Sequence, residues 1–387
     1  MKRAVLGELC DFFNGGAWSD KEYVNAGIPV LKVTNCKSTG FQLDGLNYLS
    51  EKSREKYKKN ELVIGDVIIA TVGSHPNLIE SAAGRSCIVN SQVEGFYLNQ
   101  NAVCVRTKDK KVLSQKYLGY LCKCADFQHY IQSRGRGAAN QMRIAISSIK
   151  EYSFTLPDIQ NQHYIADILS TYDDIIENNQ KQIKLLEEAA QRLYKEWFVD
   201  LRFPGHENTK IVDGVPEGWS RTNINGILTF HRGYDLTKNE MKAGRYPVIG
   251  STSIIGYHNE FKIKGPGIVT GRSGSLGKYQ LVWDDFWPHN TSLYISNYKG
   301  HNIFFVYSLL QTVDFASLNN GGAIPTLNRN VLSNIEVIEP EKKLQDVFAK
   351  IAEPQYQKIK NLEKQNDRLK TARDLLLPKF MSGEVEV

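Results

Sequence analysis

The sequence predicts an α+β protein in which two similar strand-rich globules are joined by two long antiparallel coiled-coil helices, with pseudo-twofold symmetry. Three observations predict this fold. The second half of the chain repeats the sequence pattern of the first half. Each copy contains short apolar runs separated by glycine-containing turns, which is typical of strands. Each copy is followed by a long heptad pattern of apolar residues, which is typical of a helix that packs along another helix.

The internal repeat defines the order of the globules and the helices. The stretch "GAANQMRIAISSIKEYSFTLP" from Gly137 resembles "GAIPTLNRNVLSNIEVIEP" from Gly322, and the two share an arginine, Arg143 or Arg329, and a closing proline. Near the start of each copy, "RAVLGELCDFFNGG" resembles "RTNINGILTFHRGY". The predicted division is residues 1–156 for the first globule, 157–205 for the first helix, 206–340 for the second globule and 341–387 for the second helix.

Each predicted helix carries a seam of apolar residues at alternating spacings of three and four. Asp158 is a predicted N-cap of the first helix. A helix of about 35 residues is roughly 50 Å long and cannot bury such a seam alone, so we expect the two helices to pack on each other. Pro354 is expected to kink or interrupt the second helix. The seam residues are Ile165, Leu169, Ile176, Asn179, Ile183, Leu186, Leu193 and Trp197 in the first helix and Phe348, Ile359, Leu362, Leu369, Leu376 and Phe380 in the second.

The expected antiparallel packing suggests why the chain repeats itself. It would place the two globules at opposite ends of a rigid spacer. Duplex DNA is also approximately twofold, with a helical turn of about 34 Å. We therefore interpret the repeat as two readers of two half-sites on double-stranded DNA.

Composition is that of an ordinary globular protein, with a basic first segment. Of the 387 residues, 41% are hydrophobic and 23% are charged, which is within the usual range. The net charge is +6, and residues 1–156 carry 21 basic and 14 acidic side chains. A basic segment is compatible with nucleic acid. The sequence shows neither a transmembrane run nor a signal-peptide pattern, so we expect no membrane association.

The six cysteines all lie in the first third of the chain. None falls in the second copy of the repeat, so a disulfide framework is not part of the repeated design, and we predict a reduced, cytoplasmic setting. Cys122 and Cys124 are separated by one residue, which is too few for a zinc knuckle, and no second pair completes them. We therefore predict no metal site.

Searches for catalytic motifs indicate that the chain is not an enzyme. It contains neither an Asn-Pro-Pro-aromatic nor an Asp-Pro-Pro-aromatic motif, which adenine methylation requires. The stretch "GRSGSLGK" resembles a phosphate loop, but its glycine spacing differs, and Tyr279 stands in place of the required Ser or Thr. The Glu-x-Lys letters of nucleases occur at Glu341, but they follow a proline and open a predicted helix.

Several segments, taken in order, resemble the specificity subunits of type I restriction-modification systems. "VLGELCDFFNGG", "GDVIIATVGSHPN" and "YLNQNAVCVR" resemble a target recognition domain of that family, and "GRSGSLG" is similar to its pattern in the second half. "LPDIQNQHYIADIL" resembles the entry to its central helix, and "LYKEWFVDLRFPG" followed by "VPEGW" resembles the exit. The closing "LLLPKFMSGEVEV" is also similar. The first globule departs from the family pattern because it lacks the "PEGW" lead-in and starts directly at Val5.

The resemblance implies a DNA-specificity subunit without an active site. Residues 1–156 and 206–340 would be target recognition domains 1 and 2, and each would read one part of a split DNA sequence. Residues 157–205 and 341–387 would be conserved helices that set the spacer and dock two methylation subunits. Those subunits would bring S-adenosylmethionine, and restriction subunits would use ATP and Mg²⁺. No cofactor is therefore expected in this chain.

Candidate DNA-binding residues lie on glycine-rich loops and turns of both globules. Arg, Lys, Asn and Gln match base edges, whereas Ser, Thr and basic side chains hold phosphates. An ordinary solvated loop is the alternative for each of these positions. In the first globule the candidates are Ser74, His75, Asn77, Arg134, Arg136, Asn140, Gln141 and Arg143. In the second globule they are Arg272, Ser273, Ser275, Lys278, His289, Asn290, Asn319, Asn320 and Arg329.

The first copy also carries extra residues, including the lysine-rich segment 51–61, "EKSREKYKKNE". Its amphipathic pattern predicts a solvated helix face. Non-specific contact with DNA phosphates is the alternative.

Two other functions fit the sequence. The first is the equivalent subunit of a type IIB-like system, in which a fused nuclease-methylase is the partner. The second is a coiled-coil scaffold that binds proteins and has no role on DNA. The repeated loops rich in Gly, Arg and Asn disfavour the scaffold.

Overall fold

The computed structural model describes residues 2–37, 40–74, 83–137, 142–272, 277–313 and 335–385. The chain forms two compact units, residues 1–177 with 366–387 and residues 178–365. Both boundaries fall inside the long helices. Each unit therefore contains one globule and part of each long helix.

The first unit is built from short strands separated by turns. Its strands are β1 (Lys2–Val5), β2 (Cys10–Asn14), β3 (Tyr23–Val24), β4 (Ile28–Leu31), β5 (Cys36–Lys37), β6 (Gly40–Phe41), β7 (Asn47–Leu49), β8 (Val67–Ala70), β9 (Val72–Gly73), β10 (Ser86–Ile88), β11 (Tyr97–Leu98), β12 (Ala102–Thr107), β13 (Met142–Arg143) and β14 (Ser153–Leu156). Its helices are α1 (Leu6–Leu9), α2 (Arg54–Tyr57), α3 (Gln115–Lys123), α4 (Ala125–Ser133), α5 (Ile146–Lys150) and the start of α6 (Ile159–Tyr194).

An antiparallel sheet of order β10-β8-β12-β2 forms the centre of the first unit. The inner strand β8 is buried on both faces, and its side chains alternate between two cores, as the twofold period of a strand requires. Val67 and Ile69 pack in the cluster that contains α3, α4 and the start of α6. Ile68 and Ala70 pack in a second cluster with Leu31 of β4. The sheet therefore carries a helical layer on one side and a second, smaller sheet on the other.

The second unit repeats this design. After α6, one π-helical turn covers Lys195–Val199. The strands are β15 (Ile211–Val212), β16 (Val215–Pro216), β17 (Ser220–Asn223), β18 (Thr229–Arg232), β19 (Tyr246–Ile249), β20 (Ile254–His258), β21 (Gly267–Gly271), β22 (Tyr279–Val282), β23 (Trp287–Pro288), β24 (Ser292–Asn297) and β25 (Glu336–Glu339). The helices are α7 (Ile224–Ile227), α8 (Ile303–Thr312) and α9 (Lys342–Ser382).

The central sheets of the two units have the same strand order. The order β22-β21-β24-β18 in the second unit corresponds to β10-β8-β12-β2 in the first. The parallel pair β19 and β23 likewise corresponds to β4 and β11. The pairing of β17 with β25 corresponds to that of β1 with β14. The repeat in the sequence is therefore a repeat in structure, and the predicted fold class of two similar globules and two long helices is confirmed.

The two long helices run antiparallel within the second unit. Asn179 of α6 donates a hydrogen bond to Gln365 of α9 at 3.3 Å. Further along α6, Tyr194 packs on Phe348, nearer the start of α9, with ring centroids 6.0 Å apart. The partner position decreases as the position in α6 increases, so the helix directions are opposite.

The seam residues lie at this helix pair and at its junctions with the globules. Helix α9 continues through Pro354, and no interruption is present there. The neighbouring Ala352 and Tyr356 are buried in the core of the second unit, so packing holds the helix despite the missing hydrogen-bond donor. The buried seam residues are Ile165, Leu169, Ile176, Asn179, Trp197, Phe348, Ile359, Leu362 and Phe380. The half-buried ones are Ile183, Leu186, Leu193, Leu369 and Leu376.

Candidate nucleic-acid interface

Two arginines face each other at the base of a loop in the first globule. The backbone N–H of Arg136 donates to the carbonyl of Arg143 at 2.9 Å, and the reverse bond is 2.8 Å. In such a pair the Cα atoms are about 5.5 Å apart and the side chains lie on one face. Both side chains are exposed, and neither has an acidic partner among the described residues. Like charges placed opposite each other are destabilising, so this site suits an anion.

A small sheet brings a second predicted loop to the same place. Strand β13 pairs with β9, and Arg143 lies opposite Val72. Ser74, which follows β9, is therefore near the arginine pair. Arg134 is exposed just after α4, and its guanidinium lies 5.1 Å from the ring centroid of Tyr130. The candidates His75, Asn77, Asn140 and Gln141 lie outside the described residues.

A tight turn, Asn99-Gln100-Asn101, adjoins this sheet. The N–H of Thr71 donates to the carbonyl of Asn101 at 2.9 Å, and the carbonyl of Thr71 accepts from Ile144 at 2.8 Å. Asn99 is buried, whereas the side chains of Gln100 and Asn101 are exposed and make no hydrogen bond within the described ranges. Exposed side-chain amides offer the paired donor and acceptor that recognise adenine edges.

The second globule contains the equivalent turn, His289-Asn290-Thr291. The carbonyl of Thr291 accepts from the N–H of Arg272 at 3.1 Å, as that of Asn101 accepts from Thr71. The N–H of His289 donates to Ile249 of β19 at 2.9 Å, and the matching bond of the first turn is 3.0 Å. The two turns therefore occupy the same position in the two repeats.

Two of the candidate side chains in the second turn are held within the globule. His289 Nδ1 lies 2.9 Å from the hydroxyl of Thr291, and Nε2 lies 3.2 Å from the carbonyl of Leu236. A carbonyl only accepts, so Nε2 must carry the proton. The amide of Asn290 donates to Asp235. Both side chains therefore stabilise the turn in this structure.

Two of the candidate cations of the second globule lie between β21 and β22. Arg272 and Lys278 are exposed, and neither makes an ion pair with a described residue. The backbone N–H of Arg272 ties this connection to the turn. The other candidates, Ser273, Ser275, Asn319, Asn320 and Arg329, fall outside the described ranges.

Gln100 and Asn101 were not among the candidates predicted from the sequence. Aligning "YLNQNAVCVR" with "WPHNTSLYIS" reveals them, because it places the first turn on His289 and Asn290, which were already candidates. The sequence pattern alone does not show which of these side chains is free.

Two thiols of the central sheet in the first unit are buried. Burial raises the pKa of the Cys10 thiol to about 12 and that of Cys104 to about 12, so both stay protonated near neutral pH. Within the described ranges, no group of three or more His, Cys, Asp and Glu side chains is placed to hold a metal ion. The helices in those ranges also include none with an apolar stretch long enough to cross a bilayer.

Comparisons with known proteins agree with the repeated architecture. The profile of the family described as "Type I restriction modification DNA specificity domain" matches residues 1–188 and 216–371. The chain is 27% identical over 300 residues to the type I restriction enzyme MjaIX specificity subunit of Methanocaldococcus jannaschii, covering 70% of this chain and 69% of that protein. It is 21% identical to the HindI specificity subunit of Haemophilus influenzae, covering 96% of each.

A solved structure has a similar fold. The crystal structure of the type I restriction-modification system S subunit from M. genitalium gives a TM-score of 0.62 at 19% identity, covering 98% of this chain and 96% of that chain. At this identity the likeness concerns the fold. The family profile matches each of the two repeats and most of the chain. The chain therefore belongs to the type I restriction-modification DNA specificity domain family.

Proposed function

We propose that the chain is the DNA sequence-specificity subunit of a type I restriction-modification complex and reads a bipartite target. One target recognition domain would lie in each repeat, within residues 1–156 and 206–340. The observation that carries this proposal is the repeated site. Each globule places a polar turn at the same position of the same sheet, beside exposed cations that make no ion pair with a described residue.

The site in the first globule combines the two kinds of contact that sequence-specific binding needs. Contacts to phosphates position a protein on the duplex, and contacts to base edges specify the sequence. In the first globule, Arg136 and Arg143 suit phosphate or guanine, and Gln100 and Asn101 suit adenine. In the second globule, Arg272 and Lys278 are the cations that suit phosphate or guanine. The two turns carry different side chains at equivalent positions, which would give the two half-sites different sequences.

The long helices are proposed to dock two methylation subunits and, through them, restriction subunits. Several apolar side chains on these helices are exposed, among them Tyr164 at 55%, Leu185 at 64% and Leu375 at 64%. Exposed apolar groups on a helix suit contact with another protein. The partners would supply S-adenosylmethionine, ATP and Mg²⁺, and this chain would be non-catalytic and act on cytoplasmic DNA.

The proposal is tested by mapping adenine methylation in a host that expresses this chain with the methylase encoded beside it. A host that lacks only this chain is the control. A split motif methylated only when the chain is present supports the proposal. Unchanged methylation, with both proteins folded and abundant, contradicts it.

The assignment of one half-site to each globule is tested with Arg143→Ala. This variant should relax the motif in one half only, because Arg143 belongs to one globule. Arg3→Ala is the matched control, since Arg3 is also exposed in the first globule but bonds Ser153 on β14. Equal relaxation of both halves by Arg143→Ala would contradict the assignment.

A further inference from the structure

The first unit contains an insertion that the second unit lacks. Leu31 of β4 pairs with Leu98 of β11, and the equivalent pair is Ile249 with Pro288. The first pair is separated by 67 positions and the second by 39. The lysine-rich segment 51–61 belongs to this extra length.

The segment is hydrogen-bonded to strands next to the Asn99–Asn101 turn. Residues 51–60 form helix α2 between two 3-10 turns. The hydroxyl of Tyr97, two positions before the turn, donates to the carbonyl of Arg54 at 3.0 Å. The side chain of Asn60 donates to the carbonyl of Asn14, at the end of β2, at 2.9 Å. The segment is therefore held beside the turn, and its position follows that of the turn.

The segment presents cations that nothing in the described structure neutralises. It contains five basic and three acidic side chains. Arg54 pairs with Glu51 at 2.8 Å, and Lys56 pairs with Glu22 at 3.0 Å. The remaining basic residues are exposed and make no ion pair with a described residue. They are Lys52, Lys58 and Lys59.

We propose that Lys52, Lys58 and Lys59 form a phosphate-binding surface that contacts the DNA backbone flanking the half-site of the first globule. This inference rests on the proposed function. Ammonium groups bind phosphates as point charges and carry no sequence information. The described part of the second unit has no counterpart of the segment, so the footprint on DNA would be longer on one side. The lysines raise affinity for any duplex and leave the recognised sequence unchanged.

The test compares two double variants with the same change of charge. Lys58→Ala/Lys59→Ala removes two cations of the proposed surface. Lys110→Ala/Lys111→Ala is the control, because these adjacent lysines are also exposed and follow β12 at the end away from the turn. A six-residue strand spans about 20 Å, which separates the control from the turn.

Binding is measured with the complete methylation complex and two duplexes between 50 and 200 mM KCl. One duplex carries the motif mapped by methylation, and the other carries the same bases in scrambled order. Each lost phosphate contact lowers the slope of log affinity against log salt by about 0.9, so the Lys58/Lys59 variant should lower it by up to about 1.8. Affinity should fall by the same factor on both duplexes, and the methylated motif should stay the same.

Three results would overturn the inference. The first is an unchanged salt slope in the Lys58/Lys59 variant. The second is an equal change of the slope in the Lys110/Lys111 control. The third is a loss of affinity that is confined to the duplex with the motif. Charge reversal by Lys58→Glu/Lys59→Glu should enlarge the effect. A wild-type complex that does not distinguish the duplexes would contradict the proposed function instead, and the slope on the scrambled duplex would still decide whether the lysines contact phosphate.

Discussion

Gln162 and Gln345 occupy the same place in the two repeats and join the start of each long helix to its globule. Each side-chain NH₂ donates to the carbonyl of a preceding proline, Pro157 at 3.0 Å and Pro340 at 2.9 Å. Each side-chain oxygen accepts the backbone N–H of the residue that caps α3 or α8, at 2.8 and 3.3 Å. Both glutamines are 0% exposed. The amide therefore fixes the packing of each globule on its helix.

We expect Gln162→Ala and Gln345→Ala each to lower the free energy of unfolding by about 2 kcal/mol, because buried donors and acceptors lose their partners. Gln180→Ala is the control, since Gln180 is exposed on α6, and it should change stability by less than about 0.5 kcal/mol. Urea denaturation of the complete chain, followed by circular dichroism, measures this. An equal change in the free energy of unfolding for all three variants would show that the buried amides do not stabilise the fold.

We expect the two turns to determine different halves of the recognised motif. Gln100→Ala with Asn101→Ala should reduce discrimination in one half by about 1–3 kcal/mol per base contacted. Arg272→Ala should affect the other half, since it lies beside the second turn. Binding to duplexes with single base changes measures the discrimination. Asn25→Ala, an exposed change between β3 and β4, should leave every position of the motif unchanged.

We expect Arg373→Met to destabilise the first unit by about 2 kcal/mol, because it leaves the half-buried carboxylate of Asp173 with fewer partners. Burial opposes ionisation of Asp173, but Lys123 and Arg373 outweigh it, so its pKa lies below the usual value. A carboxyl group whose pKa is lower in the folded state stabilises the fold fully at pH values above its unfolded pKa of about 3.9. This stabilisation decreases as the pH falls below that value. The difference between variant and wild type should therefore shrink below about pH 4. A constant difference down to pH 2 would contradict the ion-pair explanation.

We expect His301 to make the second unit sensitive to mild acid. Burial lowers the pKa of His301, although Gln345 and Glu339 oppose this, with Glu339 at 3.3 Å. Burial prevails because the side chain is 1% exposed. A histidine whose pKa is lower in the folded state contributes its full stabilisation to the fold at pH values above its unfolded pKa of about 6.5. The fold loses that contribution as the pH falls below this value. The urea midpoint of the wild-type protein should fall as the pH is lowered from 7.5 to 5.0. The midpoint of the His301→Gln variant should fall less over the same range. Parallel curves for the two proteins would assign the sensitivity to other groups.

The helices and the repeat were predictable because their signals are local and periodic. The heptad positions of Leu169 and Phe348 place apolar groups on one helix face, whatever covers it. Asp158 was predicted as an N-cap, and its carboxylate accepts from the N–H of Asn161 at 2.9 Å. The repeat needs only the comparison of the chain with itself. Pro354 was the exception, because the buried neighbours that hold the helix there come from the rest of the fold.

The availability of the candidate contact residues was less predictable, because it depends on partners far away in the chain. His289 is bound by Leu236, and Asn290 by Asp235, over more than fifty positions. The side chains of Gln100 and Asn101 occupy the equivalent turn and make no hydrogen bond with a described residue. No short motif distinguishes these two situations.

The sequence by itself determined the strand-rich repeats, the two long helices and the family, since periodicity and ordered motifs carry that information along the chain. Only the tertiary structure decided which of the polar side chains are exposed and which are bound within the globules. It set Arg136 opposite Arg143, joined the Thr71 and Arg272 loops to their turns, and held the lysine segment beside the first turn. These relationships come from hydrogen bonds between residues that are not neighbours in the sequence, and the local sequence carries no pattern that predicts them.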